Sequence, residues 1–84
     1  MSQEKKLVTI IVEATAHEWP KNDDITYDEV VKLEIPSHTP ESQTTYSVMY
    51  ERGQGNKPAG SLYPGASVKV KEGMVFYVSE TGQS

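Results

Sequence analysis

The sequence predicts an α+β fold in which one short helix packs across a mixed β-sheet. Segments rich in β-branched residues occur near both ends of the chain, and a helix-capping signal lies between them. A chain of 84 residues has room for one hydrophobic core only. A helix of about ten residues or fewer is unstable alone in water, so this one must pack on the sheet.

The first strand is predicted at residues 7–12 (LVTIIV), whose two faces are both apolar. This character indicates a position inside the sheet rather than at its edge. Residues 13–16 form the predicted turn, although they include no glycine. Residues 17–19 form a short return strand, which ends at Pro20 because proline cannot donate a ladder hydrogen bond.

The helix begins at a capping-box pattern formed by Thr26 and Glu29. In this pattern the threonine hydroxyl accepts from the backbone N–H of the glutamate, whose side chain bonds the N–H of the threonine. Pro36 disfavours helical geometry at the residue before it, so the helix should end by about Ile35. The sequence therefore predicts a helix of two to three turns (about ten residues).

The second half of the chain alternates apolar and polar residues in several short segments. Strands are predicted at residues 45–51, 61–63, 68–71 and 74–78, with a flexible connection at 53–60. The last two could form a hairpin, or the final strand could pair elsewhere in the sheet. Placing the apolar first and last strands side by side as a parallel central pair explains their composition, and the element order is then that of the β-grasp fold.

The charge and the lack of cysteine exclude several functions. Eight basic and twelve acidic residues give a net charge of −4, which disfavours binding to the nucleic-acid backbone. No cysteine is present, so disulfides, thiolate catalysis and cysteine-ligated metal centres are excluded. No apolar run is long enough to span a bilayer. We expect a cytoplasmic protein without a nucleic-acid or membrane partner.

No group of residues indicates catalysis, a cofactor or a metal. His17 and His38 have no further ligand at metal-binding spacing, and we expect both on the surface. The glycines of residues 53–60 suggest a phosphate-binding loop, but Ser61 stands where the lysine of such a loop belongs. We therefore expect a protein that is not an enzyme.

One candidate interaction surface follows from strand alternation. If the alternate residues Met74, Phe76 and Val78 face the helix, Val75 and Tyr77 emerge on the open face of the sheet. Met49 joins them there if Tyr46, Val48 and Tyr50 face the core. We expect Lys69 and Lys71 to flank this cluster as a polar rim. The alternative is an ordinary scatter of exposed apolar residues.

Three ordered blocks resemble the bacterial multiubiquitin domain: residues 25–33 (ITYDEVVKL), 46–53 (YSVMYERG) and 60–78 (GSLYPGASVKVKEGMVFYV). The resemblance extends from about Leu7 to the end, and it departs at residues 13–16, where the family commonly carries an Asn-Gly turn. It implies a ubiquitin-like β-grasp domain at residues 7–79, with a polar lead-in at 1–6 and a flexible tail at 80–84.

The resemblance also implies a function as a ubiquitin-like protein modifier. Its partners would be an activating enzyme, a conjugating enzyme, a JAB-type peptidase and target proteins. Gly82 would carry the reactive carboxylate after removal of the final two residues, and Glu80 and Thr81 would contact the enzyme channel. A ubiquitin-like binding domain that is never conjugated and a sulfur carrier are the alternatives.

Overall fold

The computed structural model describes residues 6–39, 41, 44–53 and 58–81. Seven strands and one helix follow one another in this part of the chain. They are β1 (Leu7–Val12), β2 (Thr15–Pro20), β3 (Asp24–Thr26), α1 (Tyr27–Glu34), β4 (Thr45–Glu51), β5 (Gly60–Leu62), β6 (Ser67–Lys69) and β7 (Val75–Thr81).

Five strands form one mixed sheet in the order β2-β1-β7-β4-β5. The pair β1–β7 is parallel, and the three other pairs are antiparallel. The predicted parallel pairing of the first and last strands is therefore confirmed. The alternative hairpin between the last two segments does not form, because β6 pairs with the unpredicted strand β3 in a separate two-stranded sheet.

The hydrophobic core lies between α1 and one face of the large sheet. Alternation along each strand sends every second side chain into this layer. Its buried members are Val8, Ile10, Val12, Ile25, Tyr27, Val30, Val31, Val48, Leu62, Val70, Met74 and Phe76. On the opposite face the side chains of Leu7, Met49 and Tyr77 are about half exposed (53%, 50% and 44%).

The helix begins at the predicted capping box. The Thr26 hydroxyl accepts from the Glu29 N–H at 3.1 Å, and the Glu29 carboxylate accepts from the Thr26 N–H at 2.9 Å. These bonds satisfy two of the N–H groups that a helix start leaves without intrahelical partners. The helix ends at Glu34 and Ile35 is its C-cap, as the following proline predicts.

The turn between β1 and β2 is shorter than predicted. It contains only Glu13 and Ala14, because Val12 already pairs with Thr15. Both turn residues have left-handed backbones, with φ of +48° and +70°. Two-residue hairpin turns of this hand match the right-handed twist of the flanking strands, which explains why the chain accepts them without glycine.

Candidate functional site

The predicted surface cluster Met49, Val75 and Tyr77 lies together on the exposed face of the sheet. Met49 on β4 stands directly opposite Tyr77 on β7, and Val75 is the next residue of β7 on the same face. Ile11 on β1 stands opposite Val75 and belongs to the same cluster. We refer to these four residues as the sheet patch. Alternation along β1 indicates the face of Ile11, but only the β1–β7 register reveals its neighbour.

A carboxylate lies at the margin of the sheet patch. The Tyr77 hydroxyl donates to Oε2 of Glu51 at 2.7 Å, and both side chains are exposed. This hydrogen bond, together with partial burial and the negative charge of Glu51, raises the pKa of the Tyr77 phenol above the ordinary tyrosine value. At neutral pH the patch therefore presents a neutral phenol whose hydroxyl is oriented by an anion.

The two lysines predicted to rim the patch lie outside the five strands of the large sheet. Lys69 lies on β6, opposite Asp24 in the two-stranded sheet, and Lys71 lies in the connection that leads to β7. A charged group that does contact the patch is Glu51, through its hydrogen bond with Tyr77. Lys69 therefore belongs to a different sheet from the patch.

The last strand continues further than predicted. Glu80 and Thr81, which we expected in the tail, lie in β7 and pair with Tyr46 and Thr45 of β4. These residues are polar, so composition gives no strand signal, and their pairing follows from the long register of β4 against β7. Gly82, the predicted reactive residue, lies outside the described residues.

His38 is buried, which corrects its predicted position on the surface. Its residue exposure is 7%, and its Nε2 lies 2.9 Å from Oδ1 of Asp28. The ring contacts Tyr27 and Tyr46 edge-on, with centroid distances of 6.4 and 5.7 Å. His17 is half-buried on β2. Nothing local in the sequence indicates the burial of His38, because its partners come from α1 and β4.

The described residues contain no cluster of three or more His, Asp or Glu side chains that could hold a metal ion. The ends of the 53–60 connection meet through a 2.7 Å hydrogen bond from the Gly53 N–H to the Pro58 carbonyl. Residues 54–57 lie outside the described part of the chain. The described part of the chain contains no helix with both the length and the apolar character needed to cross a membrane.

A mixed five-stranded sheet with a parallel first and last strand, covered on one face by a single capped helix, defines a ubiquitin-like β-grasp domain. The chain belongs to the multiubiquitin family, because the model of that family matches residues 8–82. No curated protein and no solved structure matches the chain. The expected family resemblance is thus confirmed over nearly the whole sequence.

Proposed function

We propose that this chain is a ubiquitin-like protein modifier of a bacterial, cytoplasmic conjugation pathway. An activating enzyme adenylates its C-terminal carboxylate, and a conjugating enzyme passes the acyl group from a cysteine thioester to an amine of a target protein. The chain is the substrate of this chemistry and supplies no catalytic residue. The observation that carries the proposal is membership of the multiubiquitin family over residues 8–82.

The sheet patch is the proposed docking surface for the enzymes of the pathway. Met49 and Tyr77 offer an exposed thioether and an exposed ring side by side, and Glu51 supplies a polar margin. An apolar centre with a polar rim is the usual anatomy of a protein–protein interface. Flexible methionine side chains also adapt to more than one partner surface, which suits a protein that must bind several enzymes in turn.

The reactive end in this proposal is Gly82, exposed after a JAB-type peptidase removes Gln83 and Ser84. Glycine lacks a Cβ, so its backbone can approach a nucleotide phosphate more closely than that of any other residue. The preceding residues Glu80 and Thr81 would contact the channel that leads to the adenylate. Target proteins complete the set of partners, and neither nucleic acid nor membrane is among them.

The test is reconstitution of the peptidase-treated chain with the activating enzyme, the conjugating enzyme and ATP. We expect a covalent adduct between the chain and each enzyme that a thiol reagent removes. Mass spectrometry before and after incubation with the peptidase should show loss of Gln83 and Ser84. A matched variant that lacks residues 82–84 should form no adduct.

A second candidate is a binding domain that is never conjugated. It is favoured by the pairing of Glu80 and Thr81 within β7, since a segment held in a sheet is not free to enter a channel. Binding to the enzymes without any thiol-sensitive adduct would support this candidate against the first. A sulfur carrier would instead yield a C-terminal thiocarboxylate when the activating enzyme, ATP and a sulfur donor are supplied, and mass spectrometry of that reaction would reveal it.

A further inference from the structure

A single tyrosine hydroxyl caps the outer edge of β4. The Tyr27 hydroxyl accepts from the Tyr46 N–H at 3.0 Å and donates to the Tyr46 carbonyl at 3.2 Å. It thus occupies the position that a neighbouring strand would take, beyond the point where β5 ends at Leu62. Tyr27 is only 4% exposed, so its hydroxyl is held by the core and cannot swing into solvent.

This capped residue lies opposite the end of the last strand. Tyr46 turns its backbone groups toward Tyr27, so the ladder bonds to β7 at this end fall to its neighbours Thr45 and Ser47. These two residues stand opposite Thr81 and Ser79. Fixing the backbone of Tyr46 therefore fixes the two residues that hold the end of β7.

On its other side, the end of β7 has little support. The pairing of β1 with β7 ends at Val12 and Phe76, and the Glu13 carboxylate then accepts from the Val78 N–H at 2.7 Å. In the described part of the chain, no strand continues the sheet on this side beyond that bond. Among the described residues, β4 is therefore the only strand that pairs with the final residues of β7.

The buried His38 side chain packs against both tyrosines of the capped edge. Its buried ring contacts Tyr27 and Tyr46 edge-on, and Asp28 bonds its Nε2. The side chains of α1 and β4 that meet at the capped edge are thus packed against one buried group. This packing restricts the Tyr27 ring and keeps its hydroxyl beside the Tyr46 backbone.

We propose that the Tyr27 hydroxyl is a latch that keeps residues 79–81 paired in the sheet, and that these residues must leave β4 before the C-terminus can react. The need for these residues to leave β4 rests on the proposed modifier function. An enzyme channel that admits one extended strand cannot admit the paired strands β4 and β7, the β4–β7 ribbon. Neighbouring strands lie about 4.8 Å apart, so the ribbon is roughly twice as wide as a single chain. The latch would set how often the end of the chain is available.

Amide hydrogen exchange of Tyr27→Phe tests the latch without any enzyme. The variant keeps the ring and loses only the hydroxyl, so we expect exchange of the Thr45, Ser47 and Thr81 amides to rise about tenfold. The Ile11 amide, which donates to Met74 in the middle of the sheet, should be unchanged. Tyr63→Phe is the matched control, because that tyrosine is 66% exposed. Unchanged exchange at the end of β7, or an equal rise at Ile11, would overturn the latch.

A disulfide lock tests whether release is needed. Ser47 and Ser79 are exposed and directly opposite each other, and the chain has no cysteine of its own. Bonded antiparallel pairs have a Cα separation of about 5.5 Å, which a disulfide can bridge. In the double variant Ser47→Cys/Ser79→Cys, we expect the oxidised form to react with the activating enzyme at least about tenfold more slowly than the reduced form.

Hydrogen exchange tests the latch, and the disulfide lock tests the need for release. Equal rates for the oxidised and reduced forms would overturn the requirement for release. If neither form reacts while wild-type chain also fails to react, the modifier function is wrong, and the exchange result for Tyr27→Phe alone decides the latch. An increased rate of reaction for Tyr27→Phe would support both.

Discussion

The turn between β1 and β2 offers a sharp test of backbone strain. Ala14 has a φ of +70° and is exposed, so a smaller residue there changes the backbone energy without altering the core. Left-handed geometry costs an L-residue about 1–2 kcal/mol, whereas glycine adopts it readily. The substitution Ala14→Gly should therefore stabilise the fold.

The gain is reduced by the unfolded state. Glycine gives the unfolded chain more conformations to lose, which costs about 0.4–1 kcal/mol. The net increase in the free energy of unfolding should be about 0.5–1 kcal/mol, or roughly 2–8 °C in Tm for a domain of this size. The same change at Ala16, an exposed residue of β2, should lower the free energy of unfolding by about 0.5–1 kcal/mol.

Urea unfolding followed by fluorescence measures both changes. Trp19 is the only tryptophan, is half-buried, and donates from Nε1 to the Asp24 carbonyl at 3.3 Å, so its emission reports on the folded state. The two variants carry an identical chemical change two positions apart, and we expect opposite shifts of the midpoint with unchanged slopes. If Ala14→Gly lowers stability as Ala16→Gly does, the turn is not strained as the dihedral angles indicate.

Three further predictions concern the helix start and the sheet patch. Thr26→Ala should lower the free energy of unfolding by about 1 kcal/mol in urea unfolding, because the capping hydroxyl is lost. Glu51→Gln should lower the pKa of Tyr77 toward its ordinary value, measured by NMR titration of the tyrosine ring, because the acceptor charge is removed. Met49→Asp should weaken binding of the activating enzyme by about tenfold or more in a titration of the two proteins, because a charge is placed in the apolar centre of the patch.

A control variant or a contrary outcome tests each of these predictions. Thr26→Ser keeps a hydroxyl at the cap and should remain near wild-type stability.

Folding raises the Tyr77 pKa, so the contribution of Tyr77 to stability is present below the pKa of tyrosine in the unfolded chain. This contribution is lost as pH rises through the pKa of Tyr77 in the folded protein. Glu51→Gln should reduce this alkaline loss, and an unaltered titration would rule out the negative charge of Glu51 as a cause of the raised pKa. Tyr63→Asp, an equal change at an exposed residue off the patch, should leave enzyme binding intact, and equal weakening by both variants would argue against a specific surface.

The features that local chemistry determines were predictable from the sequence. The helix start depends on Thr26 and Glu29, three residues apart, so the pattern contains the whole signal. Strand alternation likewise placed Met49 and Tyr77 on the exposed face, because side-chain direction has a period of two in any strand. The parallel pairing of the first and last strands followed from their apolar composition.

The features that escaped prediction depend on partners distant in sequence. His38 is buried because it packs against Asp28, Tyr27 and Tyr46. No local sequence pattern predicts these contacts. Glu80 lies in a strand for a similar reason: the distant strand β4 is long enough to pair with it, although its polar side chain gives no strand signal. The short pair β3–β6 was missed because its strands of three residues carry too little periodicity to be read.

The position of β7 at the centre of the sheet has a consequence for biosynthesis. The strand that β1 needs as its parallel neighbour is the last of the seven described strands in sequence. A nascent chain therefore cannot complete the five-stranded sheet until β7 has been synthesised. Contacts between segments so distant in sequence are also slow to form. A copy that stops before β7 would leave β1 and β4 without the strand that joins them, and Met49 without the Tyr77 that stands opposite it.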